Sequence, residues 1–295
     1  MIEGIRTVAV VGAGQMGHGI AHVAALAGYK VLLYDLDPDR LSTAVVGIER
    51  NLDRQVKRSA VTEPDARSAL ARIHPLTEIR SLAEADLVIE SVVENEDVKR
   101  NVFSELGPVL RPDCVLATNT SSIAITRLAA ATAHPATFLG LHFMNPVPMM
   151  ELVEVIPGVA TNAETVRLAT AFVTSLGKTP AKAQDFPAFM VNRILAPMLN
   201  EAIYAFYEGV GTADAIDMAM TLGANHPMGP LELADFVGLD ICLSNLRVLY
   251  ESLADTKYRP CPLLVKYVEA GRLGRKSGRG FYDYATDPPT PLLVG

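Results

Sequence analysis

His142 and Glu154 stand twelve residues apart in F-L-G-L-H-F-M-N-P-V-P-M-M-E-L-V-E-V-I-P-G, residues 138–158. An imidazole and a carboxylate within reach of each other make a tuned general base. The stretch reads as a strand over 138–142, a loop stiffened by Pro146 and Pro148, and a strand over 151–156 that returns beside the first. Alternation puts Glu154 on the face of Leu152 and Ile156, where a carboxylate is costly unless paired. The plainer alternative is a polar loop histidine and an edge-strand glutamate. These residues alone leave both open.

A second group could cradle phosphates. Gly12-Ala13-Gly14-Gln15-Met16-Gly17 follows the apolar run T-V-A-V-V (7–11) at once. H-G-I-A-H-V-A-A-L-A then reads as a helix up to Gly28, and K-V-L-L-Y as a strand ending at Asp35. Gly12 allows the tight turn, Gly14 lets the backbone approach a pyrophosphate, and Gly17 lets helix pack on strand. The helix N-terminus faces the phosphates. Asp35 lies 21 residues after Gly14, where a carboxylate can accept both ribose hydroxyls. It would repel a 2′-phosphate, which favours NAD over NADP. Arg40 argues the other way and is taken as a helix-surface charge. The alternative is a strand–helix turn that binds nothing. His18 and His22 have a spacing that could hold a metal. However, H-G-I-A-H lacks the glutamate of H-E-x-x-H and has no third ligand in view, so no metal is expected.

The elements that position these groups follow from the apolar pattern. Residues 86–94, D-L-V-I-E-S-V-V-E, read as a buried strand ending at Glu94, before a helix carrying Lys99. V-L-A-T-N-T-S-S reads as a strand ending in Asn119, Thr120, Ser121 and Ser122. In an open parallel sheet the carboxyl ends of the strands hold the ligand. Residues 12–17, 91–94 and 119–122 should therefore meet in one crevice, with His142 ending a fourth strand. The plainer alternative for T-S-S is a helix N-cap for I-A-I-T-R-L, and both can hold if Ser122 caps while Ser121 points at substrate. Asp37-Pro38 opens a helix with an apolar stripe at Leu41, Val45, Ile48, Leu52 and Val56. Its other face carries Arg50, Arg54, Lys57 and Arg58. Such a face is usually just solvated, yet in an acidic protein it could receive a phosphorylated substrate.

A helix over 162–176 and a short strand T-P-A-K-A lead to Asp185-Phe186-Pro187, where the domain boundary is drawn. The expected fold is an α/β Rossmann-type N-terminal domain over 1–185 followed by an all-α C-terminal domain over 186–295. Helices are expected at 188–208, after Thr212, at 230–253 and at 262–270. Asn192 is polar inside the first of them.

The 295 residues are 49% hydrophobic and 20% charged, enough for two globular domains. A net charge of -7 argues against wholesale nucleic-acid binding. Cys114, Cys242 and Cys261 are far apart and form no metal or redox motif, which suits reduced thiols in the cytoplasm. The start M-I-E-G-I-R does not read as a signal peptide, and no apolar run spans a bilayer.

Taken in order, these blocks resemble the 3-hydroxyacyl-CoA dehydrogenases, in particular the stand-alone bacterial 3-hydroxybutyryl-CoA dehydrogenases. The matching pieces are V-G-A-G-Q-M-G-H-G-I-A (11–21), E-S-V-V-E-N (90–95), N-T-S-S (119–122) and L-H-F-M-N-P-V-P-M-M-E-L-V-E-V (141–155). F-M-V-N-R (189–193), H-P-M-G-P-L-E-L-A-D-F-V-G-L-D (226–240) and G-R-K-S-G-R-G-F-Y-D-Y (274–284) complete them. The resemblance implies an NAD-dependent enzyme of fatty-acid, butyrate or aromatic metabolism that interconverts (S)-3-hydroxyacyl-CoA and 3-ketoacyl-CoA. It also implies a homodimer built through the helical domain.

By the same resemblance, His142 is the acid/base, and Glu154 orients it and stabilises its imidazolium form. Ser121 and Asn192 match side chains that hold the substrate oxygen or the nearby acyl-CoA. Glu94, Lys99, Asn119, Asn145 and Lys276 match the NAD site, together with Gln15 and Met16 of the glycine loop. Asn51, Arg54, Lys57 and Arg58 fall in the helix that meets coenzyme A. One departure stands out: Ala188 replaces the glycine the family usually has before its phenylalanine, which is unfavourable if the position needs positive φ.

Rival readings remain at this point. The 3-hydroxyisobutyrate dehydrogenases also begin G-x-G-x-M-G, but their lysine would fall on Ala188. The L-gulonate dehydrogenases and crystallin-like relatives share the histidine block and would not need a basic CoA-facing helix. A non-catalytic NAD-binding protein would not need to keep Ser121, His142, Glu154 and Asn192.

Overall fold

A computed structural model describes residues 1–292. The chain divides into two compact units, Met1–Phe189 and Met190–Gly295.

The first unit is a sheet covered on both faces. Its strands are β1 (Thr7–Val11), β2 (Lys30–Tyr34), β3 (Ile73–Leu76), β4 (Leu87–Glu90), β5 (Val115–Thr118), β6 (Phe138–Phe143), β7 (Leu152–Pro157) and β8 (Thr179–Lys182). They lie in the order β3-β2-β1-β4-β5-β6-β7-β8. All pairings are parallel except β6 with β7. The near-continuous apolar strands have this cause: a parallel sheet buries both its faces. Val8, Val10, Val31, Leu33 and Ile89 face one core. There they meet Ile20 of α1 (Gln15–Leu26), Ile48 of α2 (Pro38–Lys57) and Phe172 of α6 (Ala163–Ser175). Ala9, Val11, Leu32 and Val88 face the other, with Phe103 of α4 (Glu96–Leu106). Phe103 and Phe138 meet edge to face at 5.1 Å. Full burial of each such ring is worth about 1.5–3 kcal/mol. Two shorter helices, α3 (Glu63–Ala71) and α5 (Ile125–Ala129), complete the unit.

Two local expectations are corrected. β4 stops at Glu90 instead of running to Glu94, because the Glu90 carboxylate accepts the Val92 N–H at 2.7 Å and turns the chain. Ser122 does not cap the following helix. The Asp185 carboxylate does so, accepting the N–H groups of Ile125 at 2.8 Å and Thr126 at 2.7 Å. The first unit ends at Phe189, which packs in its second core.

The second unit is helical: α7 (Val191–Tyr207), α8 (Ala213–Met218), α9 (Pro230–Val237), α10 (Leu239–Leu253) and α11 (Pro262–Glu269), with a ribbon of β9 (Tyr282–Asp283) and β10 (Thr290–Pro291). Helix α7 starts later than expected because Ala188 and Phe189 take φ of +62° and +53°. The helix expected over 230–253 is two helices, broken at Gly238 with φ +104°. Buried Asp217 accepts Leu231 N–H, Glu232 N–H and the Tyr282 hydroxyl. Buried Asp235 accepts Phe281 N–H, Tyr282 N–H and the Tyr284 hydroxyl. A Cβ on Gly280 would come within 1.9 Å of Asp235 Oδ1. Much of the residue pattern at 226–240 and 274–284 is thus this unit's own fastening.

Candidate active site

The glycine loop fits a dinucleotide. Gly12 takes φ +102°, and a Cβ there would lie 2.6 Å from the Ser91 carbonyl oxygen. A Cβ on Gly17 would meet the Gly12 oxygen at 1.8 Å. Gly14 has nothing within 4 Å of that position, so its backbone is open to a ligand. It caps α1 with no side-chain hydrogen bond, and the first turn holds no acid. Gln15 is exposed and Met16 half-buried. The free N-terminal end of a helix favours phosphate. Asp35 ends β2 with Oδ2 accepting the Ala13 N–H at 2.8 Å, so the carboxylate is fixed beside the loop. Arg40 pairs with Asp37 at 3.5 Å on the surface of α2.

The carboxyl ends of β1, β4, β5 and β6 are neighbours in the sheet, as the crevice requires. His142 and Glu154 face each other directly across the antiparallel ladder. His142 Nδ1 lies 2.7 Å from Glu154 Oε2, with His142 6% and Glu154 0% exposed. Phe189 packs against the imidazole at 5.7 Å between ring centroids. With Nδ1 engaged, Nε2 is the nitrogen left for a substrate. Asn119 accepts the Phe143 N–H at 2.9 Å, tying the end of β5 to the residue after His142.

Glu94 organises the N-T-S-S loop. Its Oε1 accepts the Thr120 hydroxyl at 2.6 Å, the N–H groups of Ser121 and Ser122 at 3.0 and 3.2 Å, and both serine hydroxyls. Lys99 Nζ lies 3.4 Å from Glu94 Oε2 and 2.8 Å from Glu90 Oε1. Glu90 also accepts the Thr118 hydroxyl at 2.6 Å. Desolvation works to raise the Glu94 pKa, but Lys99 and the donors from Thr120, Ser122 and Ser121 outweigh it. The carboxyl is held below its usual range.

The other expected residues are placed as follows. Asn145 accepts from Gln15 Nε2 at 3.2 Å, at the start of α1. Asn51 accepts from the Arg54 guanidinium, while Arg50, Arg54, Lys57 and Arg58 are exposed along the end of α2. In the second unit, Asn192 lies in the first turn of α7, and Lys276 pairs with Asp240 at 2.6 Å. Sequence reasoning missed Glu90, Asp185 and Lys178. For Glu90 a signal existed: a carboxylate inside the apolar run L-V-I-E must be paired. His22 is fully buried, and neither ring nitrogen has a hydrogen-bond partner among the described residues. Cys114, Cys242 and Cys261 are all buried and unbridged.

Known proteins match this architecture. The model described as 3-hydroxyacyl-CoA dehydrogenase, NAD binding domain, covers residues 7–186. That described as 3-hydroxyacyl-CoA dehydrogenase, C-terminal domain, covers 189–284. The 3-hydroxybutyryl-CoA dehydrogenase of Bradyrhizobium diazoefficiens is 61% identical over 97% of this chain and 98% of its own. The probable 3-hydroxybutyryl-CoA dehydrogenase of Deinococcus radiodurans is 52% identical over 93% of this chain and 99% of its own. The crystal structure of (S)-3-hydroxybutyryl-CoA dehydrogenase from Ralstonia eutropha superposes with a TM-score of 0.93 at 45% identity, covering 96% of this chain and 100% of that one. Fold and glycine loop define an NAD-binding protein of Rossmann type. The chain belongs to the 3-hydroxyacyl-CoA dehydrogenase family.

Proposed function

We propose that this chain is an NAD-dependent (S)-3-hydroxybutyryl-CoA dehydrogenase, with His142 as acid/base and Glu154 as its partner. The observation that carries the reading is the 2.7 Å contact between the buried His142 Nδ1 and Glu154 Oε2. Glu154 fixes the ring orientation and offsets the positive charge that forms on it. When bound, NAD supplies the acceptor for the hydrogen and electron pair that leave the substrate's C3. His142 Nε2 takes the hydroxyl proton as the carbonyl forms, and returns it to the 3-keto oxygen in the reverse direction. Ser121 and Asn192 hold the reacting oxygen or the adjacent acyl chain. The cations Arg54, Lys57 and Arg58, with Asn51, receive the phosphates of coenzyme A.

The same reading makes the protein a homodimer through the helical unit, which exposes Ile194, Met218, Leu222 and Phe236. Light scattering on the purified protein tests that. The buried free thiols suit a reducing cytoplasm. No helix among the described residues is long and apolar enough to cross a membrane.

The test is loss of NADH absorbance with acetoacetyl-CoA, with NADPH, free acetoacetate and L-gulonate run in parallel. Rapid oxidation of NADH with the CoA ester alone is expected. Faster turnover of L-gulonate, or none with any acyl-CoA, would overturn the substrate assignment.

A further inference from the structure

Lys178 is a buried cation that the reaction does not use. It lies just past the end of α6, after Leu176 and Gly177, the latter with φ +73°, and is 8% exposed. Its Nζ donates to the carbonyl oxygens of Val147 at 2.6 Å and Met150 at 2.7 Å. The Glu151 carboxylate acts on it through space, and no salt bridge joins it to a carboxylate among the described residues. The nearby His22 has its pKa pushed down to about 4, mainly by burial, so it does not compete as a second cation. An ammonium taken out of water and aimed at two carbonyls of one turn is there for those carbonyls.

That turn is the link between β6 and β7. Met149 and Met150 N–H groups both donate to the Pro146 oxygen at 3.0 Å. Val147 is 2% exposed and packs on α1 at Gly19, where a Cβ would come within 2.9 Å of the Val147 Cβ. Asn145 then meets Gln15 in the first turn of α1. The loop thus lies between the lysine and the helix whose N-terminus serves the glycine loop.

We propose that Lys178 is a positioning residue for the cofactor: its ammonium staples the β6–β7 loop, and the stapled loop fixes Asn145 against Gln15 at the mouth of α1. The proposal rests on the glycine loop being the NAD site and not on the identity of the substrate. The His142–Glu154 pair is held separately, by direct ladder pairing. Loss of the staple should therefore weaken cofactor binding and spare the chemical step. Methionine fills the volume of lysine but leaves two buried carbonyls unpaired, which loosens the turn. Arginine keeps the charge but spreads its donors over a fork that one point between two carbonyls does not suit.

The experiment compares wild type, Lys178→Met and Lys178→Arg. It measures NADH affinity by fluorescence titration, amide exchange at Met149 and Met150 without cofactor, melting temperature, and kcat and KM with acetoacetyl-CoA. Expected for Lys178→Met are at least fivefold weaker NADH binding, a matching rise in KM for NADH, faster exchange at both amides and kcat within about twofold of wild type. Lys178→Arg should fall between. A folded Lys178→Met with unchanged NADH affinity overturns the proposal, even if it melts earlier. So does a fall in kcat at unchanged affinity. If Lys178→Met does not fold, Lys178→Arg decides by the same affinity criterion. Wild type that fails to bind NADH would instead sink the glycine-loop reading, and wild type that binds NADH but ignores acetoacetyl-CoA would leave the binding comparison intact.

Discussion

One oxygen of Glu94 holds Ser121 by both main chain and side chain: Oε1 accepts its N–H at 3.0 Å and its hydroxyl at 3.3 Å. The serine expected to touch substrate is therefore aimed by a carboxylate in the loop that follows β4. Glu94→Gln keeps one acceptor oxygen but turns an amide towards Lys99. We expect kcat to fall at least tenfold with little change in melting temperature. An unaltered kcat would refute the role. Because the folded-state pKa of Glu94 lies below 4.5, its contribution is present above that pH and is lost as pH falls through the depressed value. Acid inactivation through this group therefore belongs below pH 4.5, and Glu94→Gln should lack that component.

Lys99 and Glu90 form a buried pair, 1% and 0% exposed at 2.8 Å. Removing one partner of such a pair costs about 3–5 kcal/mol, because the other charge is stranded. Lys99→Met should lose stability on that scale by urea unfolding, and Glu90→Gln combined with Lys99→Met should recover much of it. If the double variant is as unstable as the sum of the two single ones, the stranded-charge account fails.

Glu154→Gln keeps the shape of the proposed acid/base pair and removes the carboxylate charge. Turnover should fall about 10²- to 10⁴-fold, the range that acid/base catalysis supplies, with an unchanged circular dichroism spectrum. Near-normal turnover would remove Glu154 from the mechanism.

The glycine loop was legible because it is local, whereas the pairing of His142 with Glu154 stayed open until the register of the β6–β7 ladder was seen. Alternation fixed the face of Glu154, and Gly12, Gly14 and Gly17 sit where one turn needs them. What stayed hidden depends on distant partners or on a competing hydrogen bond. The Asp185 carboxylate caps a helix sixty residues earlier in the chain, and no spacing rule points there. S-V-V looked like more of β4, but the Glu90 side chain takes the Val92 N–H and ends the strand. L-E-L-A-D-F-V-G-L-D-I-C-L keeps helical spacing throughout, so only the observed φ of Gly238 reveals the break.

His22 should make the fold sensitive to mild acid. Burial lowers its pKa from 6.5 to about 4, so the unfolded chain takes up this proton first as pH falls. The contribution is fully present above pH 6.5 and is lost as pH falls towards about 4, amounting to about 3 kcal/mol. His22→Leu should match wild type at pH 7 and lose stability less steeply over that window in urea titrations. Identical slopes would show that the proton goes elsewhere.

Ala188 holds φ +62° while fully buried. Ala188→Gly relieves about 1–2 kcal/mol of left-handed strain. It also adds about 0.4–1 kcal/mol of unfolded-state entropy and loses a buried methyl worth about 0.8 kcal/mol. The melting temperature should barely move. Ala188→Val, β-branched at positive φ, should destabilise by about 2 kcal/mol or more. A stable valine variant would show that the backbone there relaxes.

The antiparallel joint between β6 and β7 makes the His142–Glu154 pair a hairpin's private property. Only a short loop has to close to bring the two side chains together, at small entropic cost. A residue added at the tip lengthens the loop without changing who faces whom, whereas a one-residue slip of the strands would turn Glu154 to the opposite face. Descendants of this chain are thus free to rewrite what the tip touches while inheriting the pair unaltered.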